Sequence, residues 1–183
     1  MKLHIKFIII ILGCLMATGG YAQKVIVGGG KVIIDASALR NSTTEKKATG
    51  TDATETTMGT NDASNISSKV SNETVYYKFE ISPYDNMAAI SWLPMVNHCK
   101  NLVLNGIGWR LPTIRELMLI YILNGELKQV TLPGFVPLTD AQRYWSATEE
   151  SADRAVAVYL ANHSVTSYPK TFGAANTRCI RDL

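Results

Sequence analysis

The chain has 183 residues, with 18 Lys and Arg against 15 Asp and Glu, a formal charge of +3 and 46% hydrophobic residues. That is enough for one domain of ordinary size. The charge excludes the broad basic footprint of a nucleic-acid-binding protein, all the more once the N-terminal lysines are set aside.

Lys2 and Lys6 precede and open an apolar run, Phe7 to Met16, and the stretch after it ends in Gly20-Tyr21-Ala22. Small residues at the −3 and −1 positions before Gln23 make residues 1–22 read as a secretory signal peptide. A transmembrane anchor is the rival reading, but the run falls short of the ~20 apolar residues that span a bilayer. Lipid attachment at Cys14 is a second rival, since Gly13 suits a lipoprotein signal while Leu12 is bulky for one. Cleavage after Ala22 removes Lys2 and Lys6 and no acid, taking the formal charge from +3 to +1. Cys99 and Cys179 then remain. In an exported chain two cysteines are most simply one disulfide, with two free buried thiols as the alternative. They make a poor zinc site.

Residues 23–39 form a short β-prone segment. Lys24 to Val27 and Lys31 to Asp35 flank Gly28-Gly29-Gly30 and read as a hairpin or an interrupted strand. The glycines lack the Gly-Lys-Ser/Thr ending of a phosphate-binding loop. The segment could pack on the main domain, pair with a partner or tether. Residues 40–73 are rich in Thr, Ser, Asn, Ala and Gly and poor in apolar side chains, which predicts an exposed linker or stalk. Asn-x-Ser/Thr triplets at Asn41, Asn65 and Asn72 fit a surface location.

Residues 74–183 are predicted to be the compact domain. Val75 to Ile81 reads as a strand that Ser82-Pro83 ends. Between Asp85 and Leu104 the apolar positions Met87, Ala88, Ile90, Trp92, Leu93, Val96, Cys99 and Leu102 suit a helix, which Pro94 should kink or divide. The clearest local signal follows. In Trp109-Arg110-Leu111-Pro112-Thr113, the proline holds Leu111 extended. Thr113 and Glu116 then form a capping box, so a helix starts at this point. It should stop near Asn124-Gly125. Leu132 to Pro137 is loop. Arg143 to Thr148 opens a strand, Glu149 to Asp153 a polar turn, and Ala155 to Leu160 a second strand. Asn162-His163-Ser164 turns the chain into Val165 to Tyr168. The loop Pro169 to Asn176 leads to Thr177 to Arg181. One strand, two helices and a run of short strands make an α+β pattern.

Trp109-Arg110-Leu111-Pro112-Thr113, Glu116-Leu117, Tyr144-Trp145-Ser146-Ala147-Thr148, Lys170 and Arg178-Cys179-Ile180-Arg181 together resemble the C-terminal domain of bacterial collagen-like adhesins. That family consists of exported domains with a C-type-lectin-like fold. The resemblance covers roughly residues 75–183, and the order and spacing of the motifs make it fairly specific. Arg115 to Tyr121 also looks like domains at the ends of fimbrial and surface proteins of gut anaerobes. The resemblance implies that a Cys99–Cys179 disulfide staples the first helix to the last strand and that Trp109 and Trp145 pack in the core. It also places Tyr168, Lys170, Phe172 and Asn176 on a late loop bordering the ligand-binding face. Pro94 inside the first helix departs from the family pattern.

The triplets Glu-Pro-Asn, Gln-Pro-Asp and Trp-Asn-Asp of calcium-dependent sugar-binding lectins do not occur, so calcium-mediated sugar chelation is unsupported. Formylglycine-generating enzymes share a related fold, but the two cysteines are better used as a bridge. Glu149, Glu150 and Asp153 form a carboxylate cluster that could hold a cation, although a solvated turn is the simpler reading. His98 and His163, with Ser146 or Ser164, mark no nucleophile elbow. Arg110 and Glu116 suit an ion pair or a loop anchor. No cofactor, metal or catalytic residue is expected. The reading is an exported bacterial binding protein whose expected partners are a glycan, matrix component or protein, with fimbrial subunits as a further expected partner. Its alternative is a structural subunit of a fimbria or envelope assembly with no ligand of its own. A secreted hydrolase ranks below both.

Overall fold

The computed structural model describes residues 23–60, 72–86 and 90–183. The expected signal peptide with Cys14, residues 61–71 of the expected spacer with Asn65, and Met87 and Ala88 of the expected first helix lie outside the described residues.

The fold is α+β. Two glycines with positive φ, Gly29 at 58° and Gly30 at 72°, turn β1 (Lys24–Gly28) back onto β2 (Lys31–Asp35). This is the tight hairpin turn that glycine allows without steric cost. β2 then pairs antiparallel with β5 (Lys78–Ile81), burying Val32 and Ile34. Of the three roles open to residues 23–39, the segment therefore takes the first and packs on the main domain. β10 (Ile180–Asp182) pairs with both β5 and β6 (Trp109–Arg110), giving a five-stranded antiparallel sheet in the order β1-β2-β5-β10-β6.

The single strand expected over 75–81 is two. β4 (Val75–Tyr76) pairs in parallel with β3 (Ser42–Thr43), and the pairing changes sides at Tyr77, whose N–H donates to Thr43 O while its carbonyl accepts from Ala36 N–H. A three-stranded antiparallel sheet is built from β7 (Arg143–Ser151), β8 (Arg154–Tyr159) and β9 (Ser164–Pro169). The polar turn expected over 149–153 narrows accordingly, because Glu149, Glu150 and Ser151 belong to β7.

Helix α1 spans Trp92–Asn101 and buries Trp92, Met95, Val96 and Cys99, the i, i+3, i+4, i+7 face of a helix on a core. Pro94 does not divide it. Ser91 is the N-cap, so Pro94 is exposed in the first turn, where the missing N–H is one the helix leaves unpaired anyway. Helix α2 (Ile114–Ile122) starts at the expected capping box: Thr113 Oγ1 accepts from Glu116 N–H, and Glu116 Oε2 accepts from Thr113 N–H at 2.9 Å. The helix stops near Asn124-Gly125 as expected, with Leu123 as its C-cap, but not through a glycine cap. Gly125 lacks the positive φ of a helix-ending glycine, and a short helix α3 (Asn124–Leu127) follows at once, burying Leu127. The burial of Leu127 and the hydrogen bond from Asn124 Nδ2 to Asp140 override the cost of a helical glycine.

Two apolar clusters form the core. One joins the hairpin, β5 and α2; the other joins α1, Trp109 and the inner side of the three-stranded sheet. Trp92, Trp109 and Trp145 are each fully buried with the indole N–H donated to a carbonyl, of Ser146, Leu104 and Ile90 respectively. This is how a large apolar ring with one polar atom is accommodated inside a protein. Cys99 on α1 and Cys179, next to β10, form a disulfide.

Candidate functional site

In β7–β8–β9 the register puts Arg143 opposite Tyr159, Trp145 opposite Ala157, and Ala155 opposite Tyr168. These residues share one face of the sheet, because partners across a ladder point the same way. The small Ala155 and Ala157 make room for the Trp145 indole, which is fully buried. Tyr168 and Phe172 pack edge-on against it with ring centroids 6.4 Å and 6.3 Å away. Those two rings stack on each other at 4.7 Å and 16°. The Arg143 guanidinium lies 4.1 Å above the Tyr159 ring and 5.7 Å from the Tyr168 ring, and its Nε–H donates to Tyr168 Oη at 3.2 Å. Arg143, Tyr159, Tyr168 and Phe172 are all half-buried, so each ring keeps an edge or face in water. The result is a rigid aromatic platform carrying one cation.

The late loop of residues 169–176 supplies Phe172 and is pinned at both ends. Phe172 N–H donates to Pro169 O in a tight turn. At the near end Lys170 is fully buried. Its ammonium donates to Thr54 O, Thr57 O, Ala152 O and Glu149 Oε2 at 2.7–2.9 Å, and it sits 5.0 Å from the centre of the Trp92 ring. Three ammonium hydrogens serve four acceptors, so at least one is shared. At the far end the Asn176 backbone bonds both to Arg143 O and to Trp145 N–H.

The four residues that the resemblance places on the ligand face therefore divide. Tyr168 and Phe172 come together on the half-exposed platform. Lys170 and Asn176, at 0% and 3% exposure, do not face solvent and instead fix the loop. Arg143 and Tyr159 complete the platform and escaped sequence reasoning. The signal was their placement at matching ends of two adjacent strands, which becomes visible only once the register is known.

The carboxylate cluster does not converge. Glu149 is buried against Lys170 and also accepts from Gly59 N–H, Glu150 pairs with Arg154 at 3.3 Å, and Asp153 accepts from Ser151 Oγ. Among the described residues no group of three or more His, Cys, Asp and Glu side chains is placed to hold a metal ion. Ser146 Oγ is spent on Val156 O, and His163 lies against Tyr121 Oη. Burial lowers the His98 pKa.

The expected spacer is corrected over residues 40–60. Ser42 and Thr43 form β3, Ala53 is buried in the apolar cluster that contains Trp92 and Trp109, and Lys47 N–H donates to Asp182 Oδ2 at 2.8 Å. These residues are held by hydrogen bonds to the domain more than by apolar burial, so low apolar content misrepresents them.

The signature residues form a second network, beneath β6. Arg110 and Glu116 are both fully buried in a two-pronged ion pair, Nη1 to Oε2 at 2.7 Å and Nη2 to Oε1 at 2.9 Å. Arg110 Nη2 also reaches Asp182 Oδ1 at 2.7 Å, and Glu116 Oε1 accepts from Tyr76 N–H. Burial alone would push the Glu116 carboxyl up, but the Arg110 charge and its hydrogen bonds prevail and hold it below its ordinary value. Arg110 is correspondingly raised despite burial. This network ties strand, helix cap and C-terminal strand together, with its Arg110 and Glu116 side chains fully buried.

A family model described as the Lcl C-terminal domain matches residues 48–181. No curated protein matches the chain.

Proposed function

The chain belongs to the Lcl C-terminal domain family, adhesin-like domains of bacterial surface proteins, and from that premise we propose that it is an exported binding protein. Its domain is C-type-lectin-like, and it holds a glycan, matrix component or protein partner on the platform of Arg143, Tyr159, Tyr168 and Phe172. No described helix is long and apolar enough to cross a membrane. The observation that carries the reading is the Arg143 guanidinium held between the rings of Tyr159 and Tyr168 while all three stay half-exposed. Stiff aromatic rings and an arginine offer large contact area with little entropy left to lose. Tyr168→Ala with Phe172→Ala, assayed on a glycan array and in whole-cell adhesion, tests it. Lost binding with an unchanged melting temperature supports the platform, and unchanged binding removes it.

The subunit reading has one observation in its favour. β1 ends the sheet order, and its Val25 N–H points away from β2, to Glu126. A terminal strand whose outward N–H is held by a side chain can exchange that bond for a neighbour's strand. Deleting residues 23–40 would remove core as well as edge, because Val32, Ile34 and Ala36 are buried. Val27→Pro is cleaner: Val27 shares the outward parity of Val25, so the ring removes an outward N–H and leaves the hairpin ladder whole. Assembly lost in this variant favours the subunit, and assembly retained opposes it.

A further inference from the structure

On the other side of the molecule's first apolar cluster, a groove of about 430 Å³ runs between the segment around residues 39–41 and helix α2. Its floor and walls are apolar: Leu39, Val75, Met118 and Ile122 all line it, and Ile122 is 69% exposed although the adjacent Leu119 is buried. One arginine stands on each wall, Arg40 beside Asn41 and Arg115 in the first turn of α2. Both are exposed and neither makes an ion pair among the described residues. Among the described residues no acid lines the groove.

We infer that this groove docks an acidic peptide segment of a partner protein, with an apolar side chain in the groove and carboxylates on Arg40 and Arg115. Charge complementarity selects the occupant. Two exposed guanidinium groups flanking an apolar floor match carboxylates flanking an apolar anchor, and they repel a basic segment. The chain's own residues 1–22 carry Lys2 and Lys6 and no acid, so they have the wrong sign. The height of the exposed Ile122 makes this an open groove, which suits a peptide that stays partly in water rather than an acyl chain that must leave it. Met118, among its lining residues, is the adaptable side chain, able to repack around different apolar anchors. The surface shares no residue with the aromatic platform, so it would let the domain hold a ligand and a structural partner at once.

The test uses the full exported chain and a fluorescein-labelled peptide with a Leu-Phe pair flanked by glutamates. Fluorescence anisotropy is expected to show saturable binding that weakens at least tenfold in the Arg40→Glu, Arg115→Glu double variant. It should weaken with added salt and stay unchanged in the Tyr168→Ala, Phe172→Ala variant. The arginines are exposed, so the double variant should keep its circular dichroism spectrum. If it does not, Arg40→Gln with Arg115→Gln and the salt titration of the unaltered chain read the same contact. Absence of binding, equal binding of a lysine-flanked peptide, or binding indifferent to both arginines overturns the inference. Dodecanoate binding in place of the peptide overturns it too, since the groove would then be a lipid site.

Discussion

Lys170 Nζ lies 2.8 Å from Glu149 Oε2 with neither side chain exposed to solvent. The same ammonium caps the carbonyls of Thr54 and Thr57, more than a hundred residues earlier in the chain. One lysine therefore fastens the segment around residues 52–59 to β7 and sets the base of the loop that carries Phe172. Lys170→Met should leave Glu149 buried and unpaired and cost about 3–5 kcal/mol. Glu149→Leu added to it should recover part of that loss. Hydrogen exchange should show residues 52–59 losing protection in Lys170→Met ahead of the β7–β9 ladder. Equal protection throughout would mean that the segment is held by something else.

The Arg110–Glu116 pair predicts a defined pH dependence. Glu116 titrates below its ordinary 4.5 in the folded chain. A depressed carboxyl contributes stability that is present above the unfolded value and is lost as pH falls toward the folded one. Urea unfolding from pH 7 to pH 3 should therefore show the gap between the unaltered chain and Glu116→Gln closing below about pH 4.5. A gap that stays constant down to pH 3 would contradict an ionised Glu116. At neutral pH, Glu116→Ala should cost about 3–5 kcal/mol, since it strands Arg110 in the interior.

The Cys99–Cys179 bridge spans 80 residues. In the chain-entropy model a loop of that length is worth about 4–5 kcal/mol. Cys99→Ala with Cys179→Ala should lower the melting temperature by an amount comparable to reduction with dithiothreitol, and reduction should then have no further effect on the double variant. Peptide mapping without reductant should recover the two cysteine peptides as one. Separate thiols would remove both the bridge and the stapling of α1 to the last strand.

Where the signal was local, the sequence read clearly. The Thr113–Glu116 capping box depends on residues three apart, and it forms as expected. The hairpin, one of two readings open for residues 24–35, also forms, and Trp109 and Trp145 are buried as the family resemblance implies. Readings that depended on a distant partner fared worse. Lys170 looked like a loop lysine because its partners Thr54 and Thr57 are remote in sequence and polar. Residues 40–60 looked like a stalk because their hold is hydrogen bonding to Lys170, Asp182 and Glu149. Pro94 looked like a helix breaker only because the helix was taken to begin at Asp85, seven residues before its start at Trp92. Arg143 and Tyr159 carried no motif at all; register alone makes them neighbours.

The proposal of an adhesive aromatic platform stands or falls on the side chains around Arg143. The most direct measurement is the retention of cells or beads bearing the chain on a surface of its host glycans or matrix. The comparison is between the unaltered chain and Arg143→Ala, Tyr168→Ala and Phe172→Ala, each shown to be folded by its melting curve. The account predicts that retention falls at least tenfold in the variants while the Arg40→Glu, Arg115→Glu variant is retained normally. Retention undiminished by all three platform substitutions would contradict it.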